Sequence, residues 1–102
     1  MNAYYLFDVR AVHDPERLAS YRAAVLATVQ AYGGRYLLAG ANTEIIEGTW
    51  RPSVPVLIEF PSLERAKAWY ESSAYEPLKA LRRSASDCNA VLLEATPSEL
   101  IA

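Results

Sequence analysis

Glu59 is the first residue of the sequence with clear chemical potential, because it lies in the otherwise apolar segment VPVLIEF, residues 54–60. A carboxylate in an apolar strand is partly desolvated, which raises its pKa and suits it to general acid or base catalysis. The alternative is a structural carboxylate that pairs with an arginine or with backbone donors. We favour this alternative, because structural ion pairs occupy such positions as well.

Trp50 and Arg51 precede that segment in the turn GTWRPS, residues 48–53. An indole and a guanidinium side by side in a turn could form a lid that stacks on a planar ligand and supplies a positive charge. In the alternative interpretation, which we favour, the Trp50 ring folds onto its own hairpin or onto a partner subunit.

Arg82, Arg83 and Asp87 precede the last apolar segment of the chain. One arginine could hold Glu59 or Asp87 in a bidentate pair, and it could equally bind an anionic ligand. The spacing does not decide between these interpretations.

His13 and Cys88 are the only histidine and the only cysteine. The segment HDPE around His13 contains metal-ligand residue types, but neighbours at a helix start rarely converge on one ion, so we expect no metal site. Cys88 has no evident activating partner and is expected to be a buried, inert thiol. The sequence contains no nucleophile elbow, P-loop, zinc-ligand spacing or dinucleotide fingerprint.

The first half of the chain predicts a strand, a helix and a second strand. Aromatic and β-branched residues predict a strand over residues 4–12. Asp14 as N-cap and Pro15 as first residue begin a helix, and Gly33-Gly34 ends it. The alternative, a phosphate-binding glycine loop, is disfavoured because these glycines follow a helix. The apolar stripe of the helix consists of Leu18, Tyr21, Val25, Val29 and Tyr32, widened by Leu26.

The second half adds two strands and a helix to give the order β-α-β-β-α-β, the ferredoxin-like pattern of an antiparallel α+β sheet with helices on one face. Ser62 caps a helix that reaches about residue 72, and Trp69 is most simply a core residue because it follows Leu63 and Ala66 at helical spacing. Pro55 implies an edge or bulge at the start of the third strand. The other predicted strands cover residues 35–41, 54–60 and 90–95, and residues 43–47 either continue the first of these or form a separate strand. A helical turn or two is predicted over residues 75–83. The tail with Leu100-Ile101 is expected to fray or to dock on a partner.

Length and composition limit the class of protein. The chain has 102 residues, 52% of them hydrophobic, which predicts one domain over residues 1–102. The formal net charge is −2 and no basic block is present, which argues against nucleic acid as a partner. No apolar run is long enough to cross a membrane. The first residues do not resemble a signal peptide, and the single cysteine fits a reducing compartment, so we expect a cytoplasmic protein.

The predicted sheet has a second face that helices do not cover, and this face indicates a dimer. A sheet that faces water should alternate cleanly between apolar and polar residues. Here the second face, which includes Leu92 and Glu94 of the last strand, mixes Tyr and Leu with Asp8, Glu59 and Glu94. An exposed patch of this kind usually marks an interface. We therefore expect a second copy to cover it face to face in a two-fold homodimer; the alternative is a monomer with a somewhat apolar face.

Four segments resemble the bacterial domain-of-unknown-function 1330 (DUF1330) family of the dimeric α+β barrel superfamily: YGGRYLLAG (32–40), EGTWRPS (47–53), VLIEFPSLERAKAWYESSAY (56–75) and AVLLE (90–94). The resemblance implies the ferredoxin-like fold and the barrel dimer, and it implies no established activity. Relatives often have Arg-Gly-Gly where this chain has Ala39-Gly40-Ala41. We therefore expect no anion-binding role at that position.

The resemblance also implies where a ligand would bind, because clefts in the superfamily lie between the helices and the sheet of each subunit. Trp69, Tyr70 and Arg82, together with Trp50 and Arg51, are the candidate ligand-binding residues, and Glu59 is the candidate catalytic residue. The expected function is binding of a small, partly apolar organic molecule, with cofactor-free proton transfer by Glu59 or a tyrosine if the protein is an enzyme. Some superfamily members bind haem, but His13 lies at a loop, so no cofactor is expected. The alternative is an interaction module without chemistry.

Overall fold

The computed structural model describes residues 1–96, so the predicted behaviour of Leu100-Ile101 lies outside the described residues. The predicted order is present, with one further helix before the last strand. The elements are β1 (Ala3–Val12), α1 (Pro15–Ala31), β2 (Arg35–Ala39), β3 (Pro55–Phe60), α2 (Leu63–Tyr70), α3 (Glu76–Ala85) and β4 (Ser86–Glu94). The four strands form an antiparallel sheet in the order β2-β3-β1-β4.

Helix α1 begins and ends where the sequence predicts. The Asp14 carboxylate accepts a hydrogen bond from the backbone N–H of Arg17 at 3.1 Å, and Pro15 is the first helical residue. Gly33 ends the helix with φ +78°, and the backbone N–H groups of Gly33 and Gly34 donate to the carbonyls of Gln30 and Val29. This is the Schellman arrangement. The buried residues of α1 are Leu18, Tyr21, Val25 and Val29, whereas Leu26 is 47% exposed.

Helices α2 and α3 lie on the same face of the sheet as α1. Ser62 caps α2 as predicted, by accepting from the backbone N–H of Arg65 at 3.1 Å. Ala66 and Trp69 are fully buried beneath the helix. The predicted turn or two after Tyr75 is the full helix α3, which leads directly into β4.

The loop over residues 40–54 contains no strand, so the predicted strand over 43–47 is wrong. Strand β3 is paired with β1 on one side and with β2 on the other, so only the outer edges of β2 and β4 are free, and this segment pairs with neither. Ile46 is accordingly 83% exposed. Pro55 lies in a central strand rather than at an edge, and it occupies the first residue, where a missing N–H is tolerated.

Strand β4 begins at Ser86, four residues before the prediction, because it pairs with nearly the whole of β1. Its alternation is also the reverse of the predicted one. Leu92 packs against the core, and Glu94 lies opposite the buried Ala3. Val91 and Leu93 therefore lie on the second face of the sheet, in place of Leu92 and Glu94.

The second face of the sheet consequently carries a continuous aliphatic row. Leu38, Leu57, Leu6 and Val91 are cross-strand neighbours over all four strands. We call these four residues the aliphatic row. A second row of cross-strand neighbours runs beside it on the same face and consists of Arg35, Glu59, Tyr4 and Leu93.

The core lies between the helices and the first face of the sheet and is rich in aromatic rings. The Trp69 ring lies 4.1 Å from that of Tyr75, 5.3 Å from that of Tyr5 and 5.4 Å from that of Phe60, measured between centroids. The Tyr5 hydroxyl donates to the Ala66 carbonyl at 2.9 Å, which fixes β1 to α2. Among residues 1–96, no helix is long and apolar enough to cross a membrane.

Candidate functional site

A cavity of about 500 Å³ lies between α1 and the sheet. Helix α1 packs mainly along α3, which leaves a gap between α1 and the strands β2 and β3. The walls of the cavity are largely aliphatic and aromatic. The lining residues are Phe7, Val9, Leu18, Tyr21, Arg22, Val25, Leu26, Tyr36, Ala39, Val54, Val56, Ile58, Arg82 and Cys88.

Three polar side chains, two of which line this cavity, form a chain of hydrogen bonds. The Arg82 Nε–H donates to the Tyr75 hydroxyl at 3.3 Å, and the Tyr75 and Tyr21 hydroxyls lie 2.9 Å apart. Tyr75 is fully buried, and Tyr21 and Arg82 are 8% and 6% exposed. Of the three, Tyr21 and Arg82 line the cavity, and the hydroxyl of Tyr75 joins them without lining it.

The hydrogen bond between Arg82 and Tyr75 has one possible direction, whereas the bond between the two tyrosines has two. The Tyr75 hydroxyl accepts from Arg82 Nε–H, and either tyrosine hydroxyl could donate to the other. Tyr21 lines the cavity, whereas Tyr75 is fully buried and does not. Of the two hydroxyl groups, that of Tyr21 is therefore the one that a molecule in the cavity could contact.

Arg82 is a buried cation without an anionic partner in the structure. Within residues 1–96, no carboxylate lies within 4.0 Å of its guanidinium nitrogens. Burial by itself lowers the pKa of Arg82, but the neighbouring Tyr75 and Tyr21 hydroxyls raise it, and the net effect is a raised pKa. The guanidinium therefore stays charged, and its carbon lies 5.1 Å from the centroid of the Phe7 ring.

The tyrosines that line the cavity remain protonated at neutral pH. Burial raises the pKa of Tyr36 to about 12, with a further contribution from Tyr75. Burial also raises the pKa of Tyr21, and Tyr75 adds to the effect. Both phenols therefore serve as hydrogen-bond donors, and neither is adapted to accept a proton from a substrate.

Cys88 lines the same cavity from β4. Burial raises the pKa of its thiol, although the Arg82 cation opposes the shift. The thiol lies 3.3 Å from the carbonyl oxygen of Asn89. The raised pKa disfavours the thiolate, the form in which cysteine acts as a nucleophile.

Glu59 does not line the cavity, because it belongs to the second face of the sheet. Its carboxylate accepts from Arg35 Nε at 2.8 Å and from Asn2 Nδ2 at 3.3 Å. The hydrogen bond from Arg35 is the largest contribution to its pKa, and together with bonds from Tyr4 and Asn2 it lowers that pKa despite partial desolvation. The rise in pKa that the catalytic interpretation of Glu59 requires is therefore absent, and the interpretation favoured from the sequence, a structural carboxylate paired with an arginine, is the one observed. The cause is its cross-strand neighbour Arg35.

Trp50 and Arg51 lie in the loop over residues 40–54 and line neither depression described here. The Trp50 side chain is exposed, with a relative exposure of 67% for the residue, so its ring does not fold onto its own hairpin. Arg51 Nη1 donates to the Thr43 carbonyl at 3.1 Å, which ties the loop to itself. The ligand-binding role of these two residues stays a prediction.

Trp69 and Tyr70 also lie outside the cavity. Trp69 is fully buried, and its indole N–H donates to the Thr28 hydroxyl at 3.0 Å, so it joins α2 to α1. Tyr70 borders a second, more open depression of about 470 Å³ beside β4. Arg10, Arg83, Asp87 and Asn89 also line that depression, and Arg82 lies between it and the cavity.

The acidic partners considered for Arg82 are engaged elsewhere. Glu59 pairs with Arg35, and the Asp87 carboxylate lies 3.0 Å from Nε2 of His13. In the described part of the chain, no group of three or more His, Cys, Asp or Glu side chains could hold a metal ion. Of the six candidate residues, Arg82 alone lines the cavity.

The sequence interpretation did not identify Tyr21, Tyr36 and Tyr75 as site residues. The spacing of α1 places Tyr21 in its apolar stripe, and the ring of Tyr21 is indeed buried. The spacing does not predict a partner for its hydroxyl group. A detectable signal was present, because a tyrosine in a buried stripe needs a partner for its O–H group. Tyr75 lies 54 residues away along the chain. That pairing depends on the packing of α1 against α3.

The sequence matches the family described as "Domain of unknown function (DUF1330)" over residues 2–96. The match includes all strands and helices of the structure. No curated protein matches the chain.

Solved structures similar to the chain include a protein of unknown function from Rhodopseudomonas palustris, with a TM-score of 0.72, 17% identity and coverage of 94% of this chain and 83% of that one. A dimeric ferredoxin-like protein of unknown function from Jannaschia has a TM-score of 0.72, 13% identity and coverage of 93% and 100%. SnoaB, a cofactor-independent oxygenase from Streptomyces nogalater, has a TM-score of 0.58, 15% identity and coverage of 96% and 94%. These similarities confirm the predicted ferredoxin-like α+β fold.

Proposed function

We propose that the chain, which belongs to the DUF1330 family, forms a homodimer in which each subunit binds a small, partly apolar organic molecule in the cavity between α1 and the sheet. The observation that carries this proposal is the cavity itself. Its volume of about 500 Å³ is in the usual range of small-molecule sites. A few polar groups set into apolar walls are also typical of such sites.

The aliphatic row supports the dimer. Leu38 and Val91 are 36% and 45% exposed, and they continue the row of Leu6 and Leu57 to both edges of the sheet. A second copy that packs face to face would remove these side chains from water. The Jannaschia protein with the same fold is described as dimeric. We place this dimer in the cytoplasm on the basis of the single cysteine.

Cofactor-free catalysis is the second candidate function, and the pair of donors at the cavity favours it. SnoaB is a cofactor-independent oxygenase with the same fold. In the present chain, Arg82 and the Tyr21 hydroxyl would stabilise negative charge that develops on a substrate oxygen. Glu59 has no part in this version of the proposal, because it lies on the other face of the sheet.

Filling the cavity tests the proposal. Val56 lines the cavity from β3, and Val56→Phe would occupy the space of a ligand. The matched control is Val12→Phe, because Val12 is 45% exposed and lies outside the cavity. The probes are phenyl, naphthyl and hexyl-to-decyl compounds, each as a carboxylate and as a primary amide. Binding is followed by NMR at the methyl groups of Leu18 and Val25.

The proposal predicts that at least one probe shifts the Leu18 and Val25 signals, that Val56→Phe weakens its binding at least about tenfold, and that Val12→Phe does not. Thermal unfolding of both variants establishes that they are folded. If no probe of either kind binds the wild-type protein, the interaction module without chemistry is the better description.

A further inference from the structure

We infer that the ligand of the cavity is an organic monoanion, a carboxylate joined to an apolar body. This inference rests on the proposed function and specifies the class of molecule that binds. The apolar body would lie against Leu18 and Val25, and the carboxylate would contact Arg82 and the Tyr21 hydroxyl.

The first step of the argument is the charge of Arg82. The residue is 6% exposed, and among the described residues its side chain makes one hydrogen bond, a long one of 3.3 Å from Nε to the Tyr75 hydroxyl. A buried charge is costly unless an opposite charge and hydrogen bonds compensate it. The Phe7 ring and the Tyr75 hydroxyl compensate Arg82 only in part. An anion in the cavity would supply the missing partner.

The second step is the hydrogen-bonding capacity of the Tyr21 hydroxyl. Either hydroxyl of the Tyr21–Tyr75 pair could donate to the other, and Tyr21 is the member of the pair that lines the cavity. An anion in the cavity would accept the Tyr21 proton, and the Tyr21 oxygen would then accept from Tyr75. Arg82 and Tyr21 would thus both act as donors to one ligand. An ionised carboxylate accepts hydrogen bonds at both oxygens and donates none. A neutral amide offers these donors only one acceptor oxygen, and it carries no negative charge to pair with Arg82.

The third step is the balance of charge and apolar surface. Arg82 is the only charged side chain of the cavity lining that is buried, and Arg22 is exposed at its border. One buried cation matches one negative charge. A phosphate ester carries close to two charges and has a larger desolvation cost among the surrounding Phe7, Val25 and Ile58 side chains. A carboxylate also matches the planar guanidinium.

Matched pairs of probes test the inference directly. The primary pair is 3-phenylpropanoate and 3-phenylpropanamide, which differ in charge at nearly constant shape, and phenyl phosphate is the dianionic comparison. Isothermal titration calorimetry measures affinity, and NMR identifies the residues contacted. We expect the carboxylate to bind ten- to a hundredfold more tightly than the amide, because one hydrogen bond to a charged group changes affinity by about this factor. We also expect the carboxylate to bind more tightly than phenyl phosphate.

Variants assign the preference to Arg82. Arg82→Met should abolish the preference for the carboxylate, and Arg82→Lys should retain part of it. Arg65→Met is the matched control, because it removes the same charge from an exposed position on α2, and it should leave the preference unchanged. If Arg82→Met does not fold, Tyr21→Phe removes only the hydroxyl. That variant should weaken carboxylate binding several-fold and leave amide binding almost unchanged.

Three results would overturn the inference. Equal affinities for the carboxylate and the amide would leave the proposed function intact but would show that the cavity does not prefer an anion. Carboxylate-induced shifts at Asn89 and Ala90 in place of Leu18 and Val25 would move the anion to the depression beside β4. Tighter binding of phenyl phosphate than of the carboxylate would show that the cavity prefers a dianion. If neither member of any matched pair in the panel binds, the proposed function itself fails.

Discussion

Asp8 holds the end of the long loop against β1. Its carboxylate accepts from the backbone N–H groups of Ser53 at 2.8 Å and Val54 at 3.0 Å, and from Arg10 Nη1 at 2.8 Å. Burial by itself raises the pKa of Asp8, but these hydrogen bonds outweigh it and hold the pKa below its ordinary value. Asp8 therefore stabilises the folded state in its ionised form.

Replacing Asp8 should change the dependence of stability on pH. A carboxyl group with a lowered folded-state pKa contributes stability above its unfolded pKa of about 4, and this contribution is lost as pH falls through the folded value. We expect Asp8→Asn to cost about 1–2 kcal/mol at pH 7, through lost charged hydrogen bonds, and to lose less stability than the wild type between about pH 4 and pH 2. Urea unfolding at one protein concentration measures both quantities.

Asp87→Asn is the control for this prediction, because Asp87 is exposed and its partner His13 is exposed as well. That change should cost no more than about 0.5 kcal/mol at pH 7. The role assigned to Asp8 would be contradicted if Asp8→Asn were as stable as Asp87→Asn at pH 7 and lost as much stability as the wild type between about pH 4 and pH 2.

At the scale of single residues, the sequence predicts chemical type better than chemical environment. The alternation of the strand identifies Glu59 as a carboxylate among apolar residues, and one of the weighed interpretations pairs it with an arginine. It cannot identify Arg35 as that arginine, because the β2–β3 register sets this neighbour. The same limit explains the missed contact between Tyr21 and Tyr75, which depends on the packing of helices remote in sequence.

At the scale of elements, the turn from α1 to β2 is packed so closely that Gly34 has no room for a side chain. A Cβ atom at Gly34 would lie 2.6 Å from Cε1 of Phe60 and 2.7 Å from Cγ1 of Val29, and both neighbours are fully buried. The turn thus places the end of α1 directly against β3, which positions the wall of the cavity.

Gly34→Ala should destabilise the fold by about 3 kcal/mol, because two buried side chains must move. Gly48→Ala is the matched control. A Cβ there meets no atom within 4 Å, so the only cost is its positive φ of +78°, about 1 kcal/mol. Denaturant unfolding compares the two variants. A Gly34→Ala protein that is at least as stable as Gly48→Ala would show that the turn is not tightly packed.

Elements with strong local signals were predictable, and elements defined by pairing were not. Caps and spacing predict both ends of α1 because the signals lie within the helix itself. The start of β4 was missed because the segment SDCN, residues 86–89, is polar and becomes a strand only through its pairing with β1. The segment TEIIE, residues 43–47, shows the converse, since its two β-branched isoleucines favour a strand but it pairs with no strand of the sheet.

At the scale of the whole molecule, the two faces of one sheet have different roles in this account. The first face meets the helices and borders the cavity with its buried cation. The second face carries the aliphatic row, which in the proposed dimer is covered by a second copy. The sequence predicted a dimerising second face, but it placed Leu92 and Glu94 there. The observed register substitutes Val91 and Leu93 and makes the face more apolar.

Leu57 is one of the two inner residues of the aliphatic row, so Leu57→Lys should disrupt the dimer interface without altering the cavity on the other face of the sheet. A lysine there would place a charge in the interface of the dimer and produce single chains. The control is Lys67→Leu on the exposed side of α2, which should leave the oligomeric state unchanged.

Native mass spectrometry with 3-phenylpropanoate tests the central claim most directly, because one spectrum reports both the number of chains and the number of bound molecules. The account predicts a species of two 11.3 kDa chains that carries two probe molecules, and for Leu57→Lys a single chain. Wild-type protein that appears as a single chain, or as a dimer that carries no probe, would contradict it.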